Sequence, residues 1–212
     1  HRVGERGELL GGETPEQHGH EQGRDLVVRN PAGGIVGNQP GPVVRGDGVT
    51  AALVDGGALT TNGRLSELTR LKQLASFSLA AGSDQASGAV RPALPSAKFD
   101  WLLGFLGRLG ITGNPLTQQG DDKVIVGSQF ALFIDLIAKE LKARDIECVS
   151  LTGSTSQRER ERAVAAFQGK GGPRVFCVST TAGGVSLTLD AADHVIIMDE
   201  TWIPDEQEQL ED

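Results

Sequence analysis

The sequence is poor in cysteine and aromatic residues, with two cysteines, no tyrosine and an aromatic fraction of 4%. No apolar run approaches the length of about 18 residues that a membrane-spanning helix needs, and there is no signal peptide, so we expect no association with a membrane. Cys148 and Cys177 both lie in apolar, strand-like surroundings. We therefore predict buried thiols in a reducing cytoplasm rather than a disulfide or a metal pair. The first residue is His1 rather than Met, which favours a processed or incomplete chain.

The sequence also lacks GxxxxGKS and GxxxxGKT, the loop that cradles nucleotide phosphates in a large class of enzymes. The apolar run 195–198, followed by Asp199 and Glu200, imitates the acidic strand that holds Mg²⁺ in those enzymes. That strand holds the ion only together with the phosphate-cradling loop, which is missing here. His18 and His20 lie close together without further metal ligands. We therefore predict no catalytic residue, no metal site and no ATPase activity for this chain alone.

Acidic residues outnumber basic ones, and the formal net charge is −8. Residues 199–212 alone contain seven acidic side chains and no basic one. The rest of the chain is close to electrically balanced. The net charge therefore neither supports nor excludes a local groove for a nucleic-acid backbone.

Residues 1–62 differ in composition from the rest of the chain. They contain 14 of the 29 glycines and four of the nine prolines, and the first aromatic residue is Phe77. Such a segment buries too little apolar surface to offset the entropy lost on ordering. We therefore expect disorder, or loose hairpins with weak strands at 26–28, 42–44 and 51–54. One hypothesis is that part of this segment is not native sequence, for instance a shifted reading frame.

Residues 63–122 are predicted to form a helical lead-in to the last part of the chain. Leucines recur at every third position over 65–74 and indicate an amphipathic packing helix. A second apolar stripe covers 99–109, where Ser96 is the expected N-cap and Gly110 ends the helix. These two helices precede the segment with the clearest pattern.

Residues 123–212 have the order strand, helix, strand, helix, strand, loop, strand. Short runs rich in Val and Ile are typical of strands buried on both faces. The second helix is capped by Ser156 and turns Phe167 inward and its three arginines mostly outward. Right-handed crossovers build these elements into an α/β fold, a parallel sheet with helices on both faces. The predicted strands lie at 123–129, 148–151, 175–178 and 195–198, the first helix lies at 130–141, and the arginines are Arg158, Arg160 and Arg162.

Three of the predicted strands end in hydroxyl and glycine residues, at 127–129, 152–155 and 179–181. Parallel strands bring their carboxyl ends to one edge of the sheet, where open α/β folds place their ligands. Gly183 and Gly184 let backbone N–H groups approach an anion closely. Hydroxyls, amides and helix N-termini in a row along one edge suit a polyanion better than a single phosphate. We therefore predict an edge that binds a nucleic-acid backbone.

Five segments of the chain are similar to the sequence motifs of a known family and follow in the same order. They lie at 95–99, at 124–130, at 151–155 with Arg158 and Phe167, at 179–189, and at 199–204 with Gln207 and Gln209. On these segments, the chain from about 63 to 212 resembles the second RecA-like lobe, or helicase C-terminal domain, of superfamily-two helicases of the Swi/Snf type. The last two segments are nearest to phage-encoded members. The resemblance implies a RecA-like lobe of an ATP-dependent DNA helicase or translocase.

The resemblance also implies cofactors, partners and site residues. ATP and Mg²⁺ would be the cofactors of the complete enzyme, with none bound by this chain alone. DNA and a first RecA-like lobe would be the partners, in the cytoplasm. The implied nucleic-acid-binding residues are Ser128, Gln129, Gly153, Ser154, Thr155, Ser179, Thr180 and Trp202, and the implied nucleotide-binding residues are Gly183, Gly184 and Ser186.

The chain departs from the family pattern in three places. Ser186 stands where the family usually has glycine, Ile203 stands where it has asparagine, and the sequence stops before the motif-six arginines that reach the γ-phosphate. The alternative is therefore a non-catalytic lobe that binds nucleic acid or a partner helicase. A third class is a small-molecule α/β enzyme, for which Cys177 and His194 are the only candidate reactive residues.

Overall fold

A computed structural model describes residues 27–29, 43–45, 48–61, 63–82, 89–180 and 187–199. In this part of the chain there are ten strands and four helices. The strands are β1 Val27–Arg29, β2 Val43–Arg45, β3 Gly48–Ala52, β4 Ala58–Thr61, β5 Ser78–Ala81, β6 Val90–Ala93, β7 Val124–Ser128, β8 Cys148–Leu151, β9 Val175–Ser179 and β10 His194–Ile197. The helices are α1 Arg64–Ser76, α2 Ala97–Arg108, α3 Ala131–Lys142 and α4 Gln157–Gln168.

The main sheet has five parallel strands in the order β1-β10-β7-β9-β8. Strand β9 lies between β7 and β8, with Val124 of β7 opposite Val175 at the start and Ser128 opposite Ser179 at the end. Strands β7, β8, β9 and β10 are the four that the apolar runs predicted. The predicted α/β fold, a parallel sheet with helices on both faces, is confirmed.

The core has two parts, one on each face of the main sheet. Successive side chains of a strand point to opposite faces. Val175 and Cys177 of β9 therefore join the fully buried residues of α2 and α3, whereas Phe176 and Val178 join the cluster on the other face. There Phe167 of α4 packs edge-on against Phe176, with 5.1 Å between the ring centroids. The central strand β9 is therefore covered by apolar side chains on both faces.

Two predicted helix caps are present. Ser96 Oγ accepts the N–H of Phe99 at 3.2 Å at the start of α2. At the start of α4, Ser156 Oγ accepts the N–H of Glu159 at 3.4 Å, and the Glu159 carboxylate accepts the N–H of Ser156 at 3.1 Å. This reciprocal capping box satisfies two N–H groups that a helix otherwise leaves unpaired.

Burial along α1 and α4 is less uniform than the sequence suggested. Leu65 and Leu68 of the predicted packing stripe are 73% and 46% exposed, whereas Leu74 packs against the core. The reason is geometric: at about 100° per residue, nine residues place Leu65 and Leu74 on opposite sides of the helix. In α4, two of the three arginines are exposed as predicted, but Arg160 is buried.

The described parts of residues 1–62 contain four short strands. Strand β1 pairs with β10 in the main sheet, and β2, β3 and β4 form an antiparallel sheet. The turn after β3 is attached to the rest of the molecule, because the Val54 N–H donates to the carbonyl of Leu79 at 2.8 Å and Asp55 Oδ2 accepts the Ala81 N–H at 2.8 Å. The weak strands predicted from the sequence lie near β1, β2 and β3, but the parallel pairing of β1 and the antiparallel β5–β6 pair were not foreseen. The expectation of disorder or loose hairpins covers all of residues 1–62, most of which lie outside the described ranges, so it stays a prediction.

Both cysteines are free thiols and are buried, as predicted. Cys148 lies on β8 and Cys177 on the neighbouring β9. Among the described residues, no helix is long and apolar enough to cross a membrane. The same residues contain no group of three or more His, Cys, Asp and Glu side chains that could hold a metal ion.

Candidate functional site

The carboxyl ends of the neighbouring strands β7, β9 and β8 lie on one edge of the main sheet. Ser128 at the end of β7 is opposite Ser179 at the end of β9, and Leu151 at the end of β8 is opposite Val178. Strand β10 ends on the other side of β7, with Ile197 opposite Gly127. The predicted turns are therefore side by side. We call this edge, formed by Ser128, Gln129, residues 152–155, Ser179, Thr180 and Asp199, the carboxyl edge.

The turn after β8 is closed by its own hydroxyl groups and remains open to solvent. The N–H of Thr152 donates to Thr155 Oγ1 at 3.0 Å, and the N–H of Thr155 donates back to the Thr152 carbonyl at 3.0 Å. The hydroxyls of Thr152 and Ser154 are hydrogen-bonded at 3.0 Å. Gly153 and Ser154 are exposed and Thr155 is half-buried. Among the described nucleic-acid-binding residues that the sequence predicted, a large ligand can approach these three directly.

Helix α4 begins directly after this turn and already has an acidic residue at its N-terminus. Ser156 Oγ donates to Glu159 Oε2 at 2.6 Å, and this hydrogen bond is the main reason why the pKa of Glu159 lies below its ordinary value. The carboxylate therefore remains charged beside the positive end of the helix dipole. This carboxylate offsets part of the positive charge at the start of α4, so an anion is attracted there less than to a helix N-terminus without an acidic residue.

The turn after β7 is built differently. Ser128 is fully buried, its hydroxyl donates to Asp199 Oδ2 at 2.5 Å, and its Oγ accepts the N–H of Phe130 at 3.0 Å. The N–H of Gln129 donates to Asp199 Oδ1 at 2.9 Å. The predicted contact residue Ser128 is thus used inside the protein, while the half-buried Gln129 lies at the surface of the turn. Helix α3 follows at once and has no acidic residue in its first turn.

Ser179 and Thr180, at the end of the central strand β9, are both buried. Thr180 Oγ1 is a buried hydroxyl without a hydrogen-bond partner among the described residues. The residues that follow Thr180 in the chain, 181–186, lie outside the described residues. The predicted residues Gly183, Gly184, Ser186 and Trp202 lie outside the described residues.

Asp199 was not among the predicted site residues, although it contacts two of them. It is 6% exposed. Burial raises the pKa of Asp199, and the hydrogen bonds from Ser128 and Gln129 and the positive charge of Lys98 partly offset this effect. The signal in the sequence is an acidic residue directly after an apolar run, which by itself indicates an imitation of a Mg²⁺-binding strand and opens the 199–204 segment of the family resemblance.

The candidate residues of the third class, Cys177 and His194, do not form a catalytic pair. Cys177 is fully buried in β9, and His194 is the first residue of β10, with β7 between the two strands. His194 Nε2 lies 3.8 Å from Asp122 Oδ1 at the opposite edge of the sheet. A nucleophile and a base must be within hydrogen-bond reach of each other, so this arrangement disfavours a small-molecule enzyme that uses them.

Comparison with known proteins adds a family match and several relatives. A model of the helicase conserved C-terminal domain matches residues 98–212. The chain is similar to the DNA repair protein rad8 of Schizosaccharomyces pombe, with 37% identity over 109 residues that cover 51% of this chain and 9% of that protein. It is similar to the helicase-like transcription factor of Mus musculus, with 38% identity over 98 residues that cover 45% of this chain and 10% of that protein.

Among solved structures, the chain is similar to the Sulfolobus solfataricus SWI2/SNF2 ATPase C-terminal domain. The TM-score is 0.49 at 25% identity, and the match covers 66% of this chain and 56% of that chain. Against the curated relatives the coverage is much smaller, since the chain spans only 9% and 10% of the length of the two proteins named above.

Proposed function

The chain belongs to the helicase conserved C-terminal domain family. We propose that it is the C-terminal lobe of a SNF2-type, ATP-dependent helicase or translocase, and that its carboxyl edge binds the backbone of DNA. The observation that carries this proposal is the register of the sheet, in which Ser128 lies opposite Ser179 and Leu151 opposite Val178. Three turns bearing hydroxyl, amide and glycine groups are therefore adjacent. Phosphates of a nucleic-acid strand are regularly bound by groups of these kinds.

The chemistry of the carboxyl edge supports a chain of phosphates rather than one small anion. The exposed turn at 153–155 presents hydroxyl groups and backbone, and the first turn of α3, beside Gln129, has no acidic residue to neutralise the helix dipole. Ser179 and Thr180 lie at the end of the third strand, β9, where both are buried. These groups are distributed over three neighbouring strands, so successive phosphates can each use a different turn.

For the nucleotide, we propose that Gly183, Gly184 and Ser186 face the cleft between this lobe and a first RecA-like lobe. ATP and Mg²⁺ would then be bound in the complete enzyme, and closure of the two lobes would shift their contacts along one DNA strand. Trp202 is proposed to contact that DNA strand. A cytoplasmic location and a phage origin remain predictions from the sequence.

A salt titration of DNA binding tests the proposal. The purified chain is expected to bind a fluorescent single-stranded or duplex DNA. The logarithm of its binding constant should fall linearly with the logarithm of the salt concentration. Ser154→Glu places a negative charge on the exposed turn, and like charges at about 4 Å cost on the order of 1 kcal/mol in water, so a several-fold loss of affinity is expected.

Gln118→Glu is the matched control for charge. Gln118 is exposed and lies in the segment before β7, at the other edge of the sheet, so the same added charge should leave the affinity within about twofold. Binding that does not depend on salt, or an equal loss in both variants, would contradict the proposed edge.

A non-catalytic nucleic-acid-binding lobe is the second candidate. The feature in its favour is Ser186, which stands where the family that the chain resembles usually has glycine in the segment assigned to the nucleotide. DNA binding by this edge is common to both candidates, so binding alone does not separate them. The coding DNA on both sides does: a Walker A lobe upstream and an arginine-rich motif downstream favour the enzyme, and their absence favours the module.

A further inference from the structure

Asp199 lies beneath the turn that follows β7 and uses both of its carboxylate oxygens on that turn. Oδ2 accepts the hydroxyl of Ser128 at 2.5 Å, and Oδ1 accepts the backbone N–H of Gln129 at 2.9 Å. Ser128 Oγ in turn accepts the N–H of Phe130, the N-cap of α3, at 3.0 Å. One carboxylate therefore determines the path of the backbone from the end of β7 to the first turn of α3.

Lys98, in the first turn of α2, is the cation of this cluster. Its Nζ donates to the carbonyl of Met198, the residue before Asp199, and to Ser76 Oγ at 3.3 Å. The carbonyl of Ser76 also accepts the hydroxyl of Ser96 at 2.7 Å. The end of α1, the start of α2 and the end of β10 are thus held together directly behind the carboxyl edge.

This arrangement is costly if stability alone is considered. A buried carboxylate loses its hydration, and replacing a buried ion pair by apolar side chains is often neutral or stabilising. Asp199 is nevertheless only 6% exposed, and its carboxylate accepts hydrogen bonds from two consecutive residues of one surface turn. A fixed shape of that turn is the specific consequence of keeping the charge.

We infer that Lys98 and Asp199 are positioning residues that hold Ser128 and Gln129, and the N-terminus of α3, in the shape in which this turn meets the DNA backbone. The inference rests on the function proposed above. Neither residue contacts the DNA directly. Asp199 acts through Ser128 and Gln129, and Lys98 acts through Asp199 and the carbonyl of Met198.

Two substitutions test the positioning role. Asp199→Asn keeps the size of the side chain but replaces one of the two accepting oxygens by a donor, and Lys98→Met keeps the length but removes the charge. Each is expected to weaken DNA binding about tenfold at fixed salt. The salt slope should stay unchanged, because no phosphate contact is lost, whereas removing a lysine that contacts a phosphate reduces the slope by about 1.

Lys123→Met is the matched control. Lys123 Nζ also donates to two backbone carbonyls, those of Phe167 and Gly169, but it lies at the opposite edge of the sheet. It therefore reports the effect of losing a partly buried lysine without disturbing the turn after β7. Its affinity for DNA should stay within about twofold of the unsubstituted chain.

A measurement without DNA follows the turn itself. In ¹⁵N-labelled protein, the amide signals of Gln129 and Phe130 are expected to move in the Asp199→Asn and Lys98→Met variants and to stay in place in Lys123→Met. In the unsubstituted chain the Gln129 amide should also follow the titration of Asp199, whose facing charged group is Lys98, and this pH response should vanish in Asp199→Asn.

The possible outcomes separate this inference from the proposed function. If the unsubstituted chain shows no salt-dependent DNA binding, the proposed function fails and the assigned role in binding fails with it. If the chain binds but both variants match Lys123→Met, only the positioning role is overturned. A salt slope lowered by about 1 in Lys98→Met would also overturn it, because Lys98 would then be a direct phosphate ligand. The positioning role is overturned as well if the amide signal of Gln129 does not change with the titration of Asp199.

Discussion

Hydroxyl groups that look equivalent in the sequence have three different environments on the carboxyl edge. The hydroxyl of Ser128 is donated to a buried carboxylate, Ser154 is exposed, and Thr180 Oγ1 is buried without a partner among the described residues. Of these three hydroxyls, only that of Ser154 is available to a ligand as it stands. A family resemblance transfers the position of such a residue, but its environment must be read from the structure.

Asp199 makes a testable contribution to the pH dependence of stability. Burial raises the pKa of Asp199 in the folded protein above that of an unfolded carboxyl group. Between these two pKa values the folded state binds more protons, so the stability that this residue contributes falls as pH rises through the folded pKa. Urea unfolding of the unsubstituted chain and of Asp199→Asn should therefore show a free-energy difference that shifts in favour of the unsubstituted chain as pH is lowered from 7 through that pKa.

The outcome that would contradict this expectation is a difference that is constant, or that shifts in favour of Asp199→Asn on acidification. A constant difference would mean that the hydrogen bonds from Ser128 and Gln129, which lower the pKa, balance the effect of burial. A shift in favour of Asp199→Asn would mean that they outweigh it. Equal slopes of free energy against urea concentration at each pH are needed for the comparison, since a changed slope reports altered compactness instead.

Between elements, two close contacts define how the connection after α2 packs. The guanidinium of the buried Arg174, which precedes β9, donates to the carbonyls of Gly110 at 3.1 Å and Gln119 at 2.9 Å. Gly113 lies against the end of α3, where an added Cβ would be 1.8 Å from the carbonyl oxygen of Arg144. At Gly113 the connection thus has no space for one more methyl group.

Gly113→Ala is therefore expected to destabilise the protein by about 1–3 kcal/mol, because backbone must move to accept the new atom. Gly104→Ala is the matched control: it lies on the exposed face of α2, and the nearest atom to its added Cβ is a flexible arginine nitrogen at 3.8 Å. That change should stabilise the protein by about 0.5–1 kcal/mol through helix propensity. Urea unfolding of both variants decides the matter, and a Gly113→Ala protein as stable as its parent would refute the close contact.

For the molecule as a whole, the expected behaviour is DNA binding without turnover. The chain has the carboxyl edge but no phosphate-cradling loop in its 212 residues. A coupled ATPase assay of the purified chain, with and without DNA, should give no DNA-stimulated hydrolysis, whereas the salt titration described above should show binding in the same preparation. DNA-stimulated hydrolysis by this chain alone would show that it assembles a complete nucleotide site.

The existence and order of β7, α3, β8, α4 and β9 followed from the amino-acid pattern alone. The reason is that apolar periodicity, caps such as Ser156 and glycine breaks act within a few residues of each other. Since parallel strands with right-handed crossovers end at one edge, the side-by-side position of their terminal turns could be inferred as well.

Long-range packing decided the rest. The order β1-β10-β7-β9-β8, the pairing of β1 and the burial of Arg160 depend on which surfaces meet, and no local pattern encodes that. The contact between Ser128 and Asp199 joins residues 71 positions apart. Local rules place a hydroxyl at a strand end, but whether it faces solvent, a ligand or a buried carboxylate is set by the neighbouring strand that the fold brings beside it.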